Sequence, residues 1–250
     1  MKPVCGLSRQ TWCGLLFTCF TVVGWSITLV DLLTVEWPLW PWWFVVVAVL
    51  VRTHLQTGLF IAGHDSMHGV LLPENEHGNR LLGACLLLLY AALPFDACLE
   101  NHKRHHQRTA SEEDPDFHPD PRAGALRWYI RFMAGYLRRS QMAGLLLFWL
   151  LLGLAVCRAG SLAWMNVLLF CIVPLLLSSL QLFVFGTYLP HRCQKAPRCQ
   201  QRPDSLDLPP WLSLLACFHF GYHREHHDHP SLPWFALPAC RRRCRALAPA

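Results

Sequence analysis

Apolar residues in this chain fall into long blocks separated by short charged stretches. The first block covers about residues 12–33, with Asp31, Glu36 and Pro38 closing it. The second covers about 39–62, and Trp37, Trp40, Trp42 and Trp43 crowd its start. Aromatic rings of that kind favour the membrane–water interface. A third block, 81–93, has only 13 residues. The fourth and fifth, 143–157 and 162–185, are separated by the turn 158–161, and a short apolar run at 208–220 follows a basic loop. A membrane-spanning helix needs roughly 20 apolar residues. Blocks one, two, four and five therefore predict about four transmembrane helices. The third is too short to cross comfortably, so it enters and leaves one leaflet or lies in the interface. Arg52 and His54 interrupt the second block. A charge there is costly and is expected to snorkel, pair or face the protein interior.

Composition supports this reading. Hydrophobic residues make up 53% of the 250 positions and charged residues 15%, values that suit an all-α integral membrane protein better than a soluble one. The length fits a single domain, 1–250. Lys2 and Arg9 precede the first block with no cleavage signal evident, so that block is expected to remain as the first span. The net charge of +6 would be compatible with nucleic-acid binding, but the basic residues flank apolar segments and form no separate basic domain. With the N-terminus in the cytoplasm, only Arg158 of the 22 lysines and arginines falls outside, and Arg52 lies within a span. That positive-inside bias predicts a multi-pass protein with both termini cytoplasmic. The twelve cysteines are scattered and form no CxxC pair; Cys193 and Cys199 lie in the basic loop, and Cys240 and Cys244 flank an arginine run. They read mostly as small buried hydrophobes, with no thiolate metal motif apparent.

The polar residues carry the chemistry. Eight of the fourteen histidines form three clusters: His64 and His68; His102, His105 and His106; His223, His226 and His227. Residues three or four apart share a helix face, so each cluster aims several imidazoles at one region. Each also ends an apolar segment, and the expected topology puts all three on the cytoplasmic side. A tetrahedral zinc uses four ligands; the surplus predicts two metals in a histidine-rich cap. Nitrogen-rich ligation suits iron, and copper and zinc fit by ligand type as well. His191, just after the last span, is a further candidate ligand, and so is His219, four residues before His223. His118 and His229 are candidates for outer support or a substrate pocket; His54 and His77 read as structural or solvated. Ligand imidazoles commonly donate their other nitrogen to a carboxylate, and Asp65, Asp96, Glu100, Asp114, Asp116, Glu225 and Asp228 are candidates. The run 112–118 reads equally well as a solvated loop. A membrane metal carrier would need its ligands within the spans, near the bilayer midplane. A zinc-dependent hydrolase would be expected to show HExxH, which does not occur.

The order HxxxH, HxxHH, HxxHH resembles that of the membrane fatty acid desaturase and hydroxylase superfamily. Longer stretches resemble bacterial-type beta-carotene ketolases: TGLFIAGHDSMHG at 57–69, EDPDFH at 113–118, FGTYLPHR at 185–192, CFHFGYHREHH at 217–227 and PSLPW at 230–234. The resemblance spans roughly 55–238. It implies a helical membrane enzyme with a non-haem di-iron centre. It also implies O2-dependent conversion of ring carbon C4 of a beta-ionone ring to a ketone, by two hydroxylations and loss of water. Beta-carotene would give echinenone and canthaxanthin, and zeaxanthin would give astaxanthin. The implied electron donor is an external, ferredoxin-like protein. The eight clustered histidines become iron ligands by this resemblance, and His191 the additional one. Arg224 stands where some relatives carry histidine, and Gly63 and Ser66 replace other small residues. A carotenoid ring hydroxylase or an acyl-lipid desaturase of the same superfamily is the nearest alternative.

Overall fold

The computed structural model describes residues 7–120, 122–157, 162–192 and 203–247. Lys2, the turn 158–161 with Arg158, Cys193, Cys199 and the Trp37 side chain lie outside the described residues. Among the described residues every regular element is helical. Four helices are long and apolar enough to cross a membrane: α1 (Arg9–Leu33), α2 (Trp42–Met67), and two more that come after a bent pair.

Helix α1 begins at Ser8, whose hydroxyl accepts the Thr11 amide at 3.1 Å and so satisfies a donor that has no partner within the helix. Its polarity is inside out: Thr11, Gly14, Thr18 and Thr21 are buried, while Trp12, Leu16, Phe20, Val23 and Ile27 are exposed. Lipid tails are as apolar as leucine, so large side chains can face them, and small residues let helices approach.

The bent pair is α3 (Glu76–Ala91) and α4 (Phe95–Gln107), which meet at 98°. Asn75 caps α3 by accepting the Gly78 amide at 2.9 Å. The helix ends at Ala92 in the left-handed region, φ 53°, and Pro94 precedes α4. Proline disfavours helical geometry in the residue before it, so the break falls there. The short third block thus forms one arm of a bent pair, either a broken span or a re-entrant loop. Gly83 lets α3 lie against α2: a Cβ there would collide with the Ser66 hydroxyl and the Phe95 ring.

Helix α5 (Ala125–Tyr136) lies in the stretch that reads as merely polar and charged in the sequence. It buries Trp128 and exposes Leu126 and Ile130. The remaining spans are α6 (Arg139–Val156) and α7 (Ala163–His191), the latter containing π-helical turns at Leu168–Ile172 and Phe183–Tyr188. Three short helices complete the chain: α8 (Pro210–Cys217), α9 (His223–Asp228) and α10 (Leu237–Leu247).

Polar bonds bind the spans together. The buried Arg52 donates to the Phe170 carbonyl at 3.0 Å, to the Trp25 carbonyl at 2.6 Å and to the Thr28 hydroxyl at 3.2 Å. It faces the interior, as the cost of an intramembrane charge requires. Phe170 lies in the first π-helical turn, where the regular ladder loosens. The Thr57 hydroxyl meets Ser178 at 2.8 Å, joining α2 to α7. These contacts hold α2 against α1 and α7, and the C-terminal ends of α2 and α7 meet α4 and α9 at one end of the bundle.

Candidate metal centre

Nine histidines converge at that end. Helix α2 brings His64 and, one residue beyond its last turn, His68; α4 brings His102, His105 and His106; the end of α7 brings His191; and α9 brings His223, His226 and His227. Their ring nitrogens sort into two groups of four, each within 4.8 Å of one another. The first is His64, His68, His102 and His226; the second is His105, His191, His223 and His227. Each HxxHH helix serves both groups, because residues three apart on α4 and α9 diverge between them. His106 lies between the groups. Its Nε2 is 3.1 Å from that of His226, and its ring stacks on His227 with centroids 4.1 Å apart.

The chemistry of this donor set fits metal ions. In the second group His223 Nε2 lies 3.4 Å from His105 Nε2, 3.0 Å from His191 Nε2 and 3.1 Å from His227 Nε2. A ring nitrogen carries one hydrogen or one lone pair, so it cannot hydrogen-bond to three others. Metal–nitrogen bonds of about 2.0–2.1 Å place neighbouring ligands about 3.0–3.4 Å apart, which is the spacing seen. In the first group His68 and His102 approach to 2.6 Å, and His64 Nε2 is buried without a hydrogen-bond partner. Burial first, then neighbouring imidazoles, hold His223, His226 and His227 well below the ordinary imidazole pKa. Neutral rings with free lone pairs are what a metal ligand requires.

The carboxylates divide sharply. Asp114 accepts from His105 Nδ1 at 2.9 Å and from the backbone amides of Ala110 and Asp116, both at 2.9 Å. Burial opposes ionisation of Asp114, but His105 and these amides outweigh it and hold the carboxyl below its usual range. Asp116 accepts from the Tyr136 hydroxyl at 2.8 Å and the Thr187 hydroxyl at 3.3 Å; burial raises its pKa despite nearby His105. Of the run 112–118, then, Asp114 and His118 are buried and Asp116 is half-buried, while Glu112 and Glu113 are solvated.

Asp65 Oδ1 is 3.9 Å from His64 Nδ1, beyond hydrogen-bond range, and its other oxygen accepts the Trp234 amide at 3.3 Å. Glu225 turns away from the histidines, accepting from Ser205 and, at 2.9 Å, from Arg241. Asp96 pairs with Arg80 and Glu100 with Arg104 at the surface, and Asp228 is exposed. His118 Nδ1 accepts the Asp120 amide at 3.1 Å, so it braces a loop. His219 stacks between Tyr222 and Trp234 and joins neither group.

An apolar cavity of about 150 Å³ abuts the first group. His64, His102 and Asp116 border it at one end, and Tyr90, Leu145 and Leu175 line it farther into the bundle. Leu176 lines it too while remaining exposed on the bundle surface, so the cavity reaches the face that lipid would cover.

Residues 40–250 match the fatty acid desaturase family. The chain belongs to that family. It is an enzyme similar to carotenoid ketolases. It is 40% identical over 195 residues to a beta-carotene ketolase of Paracoccus sp. (strain N81106 / MBIC 01143), covering 76% of each protein. It is 36% identical over 209 residues to beta-carotene 4-ketolase 3 of Haematococcus lacustris, covering 80% of this chain and 63% of the relative. A zeaxanthin 4-ketolase of Chlamydomonas reinhardtii is 38% identical over 216 residues, covering 83% of this chain and 47% of the relative.

Within this desaturase-family frame, some residues at the site carry no signal in the sequence. Tyr136 lies in a polar, charged stretch, Thr187 just past the fifth apolar block and Phe220 at the end of a short apolar run. Their roles are not given by spacing, yet the first two bond Asp116 and the third edges against His64, with centroids 4.9 Å apart. Phe220 owes its position to consecutive left-handed residues, Phe218 at φ 46° and His219 at φ 63°. Arg224 is exposed and pairs with Asp204.

Proposed function

We propose that this chain is a beta-carotene 4-ketolase. It converts C4 of a beta-ionone ring to a ketone, giving echinenone and canthaxanthin from beta-carotene and astaxanthin from zeaxanthin. One observation carries the reading: two sets of converging histidine nitrogens beside an apolar cavity that reaches the lipid-facing surface.

In this reading His64, His68, His102 and His226 hold one iron, and His105, His191, His223 and His227 the other, with His106 between them. Two bound irons supply dioxygen activation, with electrons from an external ferredoxin-like donor. Each hydroxylation consumes one O2, two electrons and two protons and releases one water; the second yields a geminal diol that loses water to the ketone.

The chain's own residues do the rest. The cavity takes an apolar ring from the bilayer past Leu176 and holds it against His64 and His102. Its apolar walls exclude water. Asp114 fixes the tautomer and orientation of His105. Asp116, with Tyr136 and Thr187, offers the only carboxyl group among the described residues of the cavity wall, beside the reacting ring. The proposal treats 1–250 as one domain, with the motif-bearing core at 55–238. It puts the histidines and both termini on the cytoplasmic side, since Lys103, Arg104, Arg108 and the arginines of α10 gather at that end.

Expression in a beta-carotene-producing bacterium tests the assignment by pigment analysis. Echinenone or canthaxanthin is expected. Unchanged beta-carotene, with the protein present in the membrane, overturns it; a 3-hydroxylated ring or a new acyl double bond would instead mark the hydroxylase or desaturase alternative.

A further inference from the structure

A third constellation of metal-binding side chains lies outside both histidine groups. His229, Cys240 and Cys244 bring one nitrogen and two sulfurs within 4.8 Å of one another. The two thiols are one turn apart on α10, with Sγ atoms separated by 4.0 Å. His229 comes from a different element, the residue that ends α9, where its amide donates to the Glu225 carbonyl at 3.0 Å. The three donors are held in place by contacts that do not involve them: Arg241 donates to Glu225 at 2.9 Å and lies over the Tyr222 ring at 4.8 Å, docking α10 on α9.

The geometry is that of a chelate. Zinc–sulfur bonds of about 2.3 Å at tetrahedral angles place two sulfurs about 3.8 Å apart, close to the separation found. A disulfide would need the sulfurs at about 2.05 Å, so the pair would have to close by half. An imidazole with two thiolates is a donor set zinc takes readily, and the exposure of His229 and Cys244 leaves room for a water as fourth ligand. Two thiolates neutralise the dication. Partial burial, Cys244 and Glu225 push the free Cys240 thiol up to about 11 against the pull of Arg243, so the metal has to displace that proton on binding.

We propose that His229, Cys240 and Cys244 form a zinc site that clamps α10 to α9, the helix that carries His223, His226 and His227. It is separate from the histidine centre in its residues and in the softness of its donors, and it does not depend on the ketolase reading.

The test uses the whole protein in detergent, with and without added zinc. Thiol alkylation followed by mass spectrometry of the 237–247 peptide reads Cys240 and Cys244 directly. The site predicts that zinc protects both, that His229→Ala removes the protection, and that cobalt in place of zinc gives a thiolate-to-cobalt charge-transfer band. The double variant Cys240→Ser/Cys244→Ser should lose one zinc per chain, with Cys13→Ser/Cys19→Ser retaining it. Equal alkylation with and without zinc overturns the proposal, and so does a Cys240–Cys244 disulfide in the protein isolated under reducing conditions. The alkylation experiment needs no variant, so misfolding of the double variant does not blunt it.

Discussion

The two histidine groups are built from the same side chains and supported differently. The first, His64, His68, His102 and His226, borders the apolar cavity through His64 and His102. Its nearest carboxylate, Asp65, stands 3.9 Å from a ring nitrogen, and His64 Nε2 has no partner. The second, His105, His191, His223 and His227, is removed from the cavity lining and tied to a buried carboxylate through the His105–Asp114 bond of 2.9 Å. A carboxylate behind a ligand imidazole fixes its orientation and raises its basicity. The second group is thus braced at His105, although His223 Nδ1 is buried without a partner, while the first faces the space in which a substrate ring would lie. A catalytic metal needs an open position, and that contrast suggests which side of the pair offers it.

The strongest test removes one nitrogen from each group. His226→Ala and His105→Ala should each abolish ketone formation in the pigment assay while the protein still inserts into the membrane. Iron content per chain should fall in both. Full turnover in either variant would sink the assignment of that group. Next in size comes the bracing carboxylate. Asp114→Asn keeps the shape and removes the charge, and loss of such a partner typically costs about 10–100-fold in metal affinity or activity. Asp65→Asn should cost far less, because its carboxylate makes no hydrogen bond to a ligand ring. Iron retention under a chelator measures both variants, and equal losses would erase the contrast between the groups.

Much of this was legible in the sequence, for reasons that also explain what was not. Block length alone locates α1, α2, α6 and α7, since hydrocarbon thickness sets it. Helix α5 escapes because it is only 12 residues long, too short for a span, and Arg127 and Arg131 interrupt its apolar residues. The histidine clusters are visible as HxxxH and HxxHH, but their sorting is not. Spacing places His102 and His106 on one face, whereas the partner helix decides that His102 joins His226 and His105 joins His223. Glu225 sits between histidines in sequence and points elsewhere, because Arg241 on α10 draws it away. Asp116 takes its partners from Tyr136 and Thr187, 20 and 71 residues away, a distance no local pattern spans.

The cavity offers a smaller effect that separates binding from metal chemistry. Leu175 lines the cavity and is only partly buried, so Leu175→Trp would fill space without forcing apart a tight core. Turnover of beta-carotene should drop by about tenfold, equivalent to roughly 1.4 kcal/mol, mainly through KM, with iron content unchanged. A parallel loss of iron would mean that the cavity and the first histidine group are mechanically coupled.

The smallest effect is expected at Arg224, although it sits next to His223. Successive residues on a helix turn by about 100°, so the side chain after His223 points away from the group that His223 and His227 share. It is exposed, and its guanidinium pairs with Asp204. Exposed pairs of this kind contribute about 0–1 kcal/mol. Arg224→His should therefore leave iron content and product ratio unchanged and alter thermal stability only slightly, even though it adds an imidazole within a histidine cluster. Should iron content rise or the product ratio shift, α9 would have to rotate to bring position 224 inward. His226 and His227 would then exchange surroundings, and the division into a braced group and an open one would fail with them.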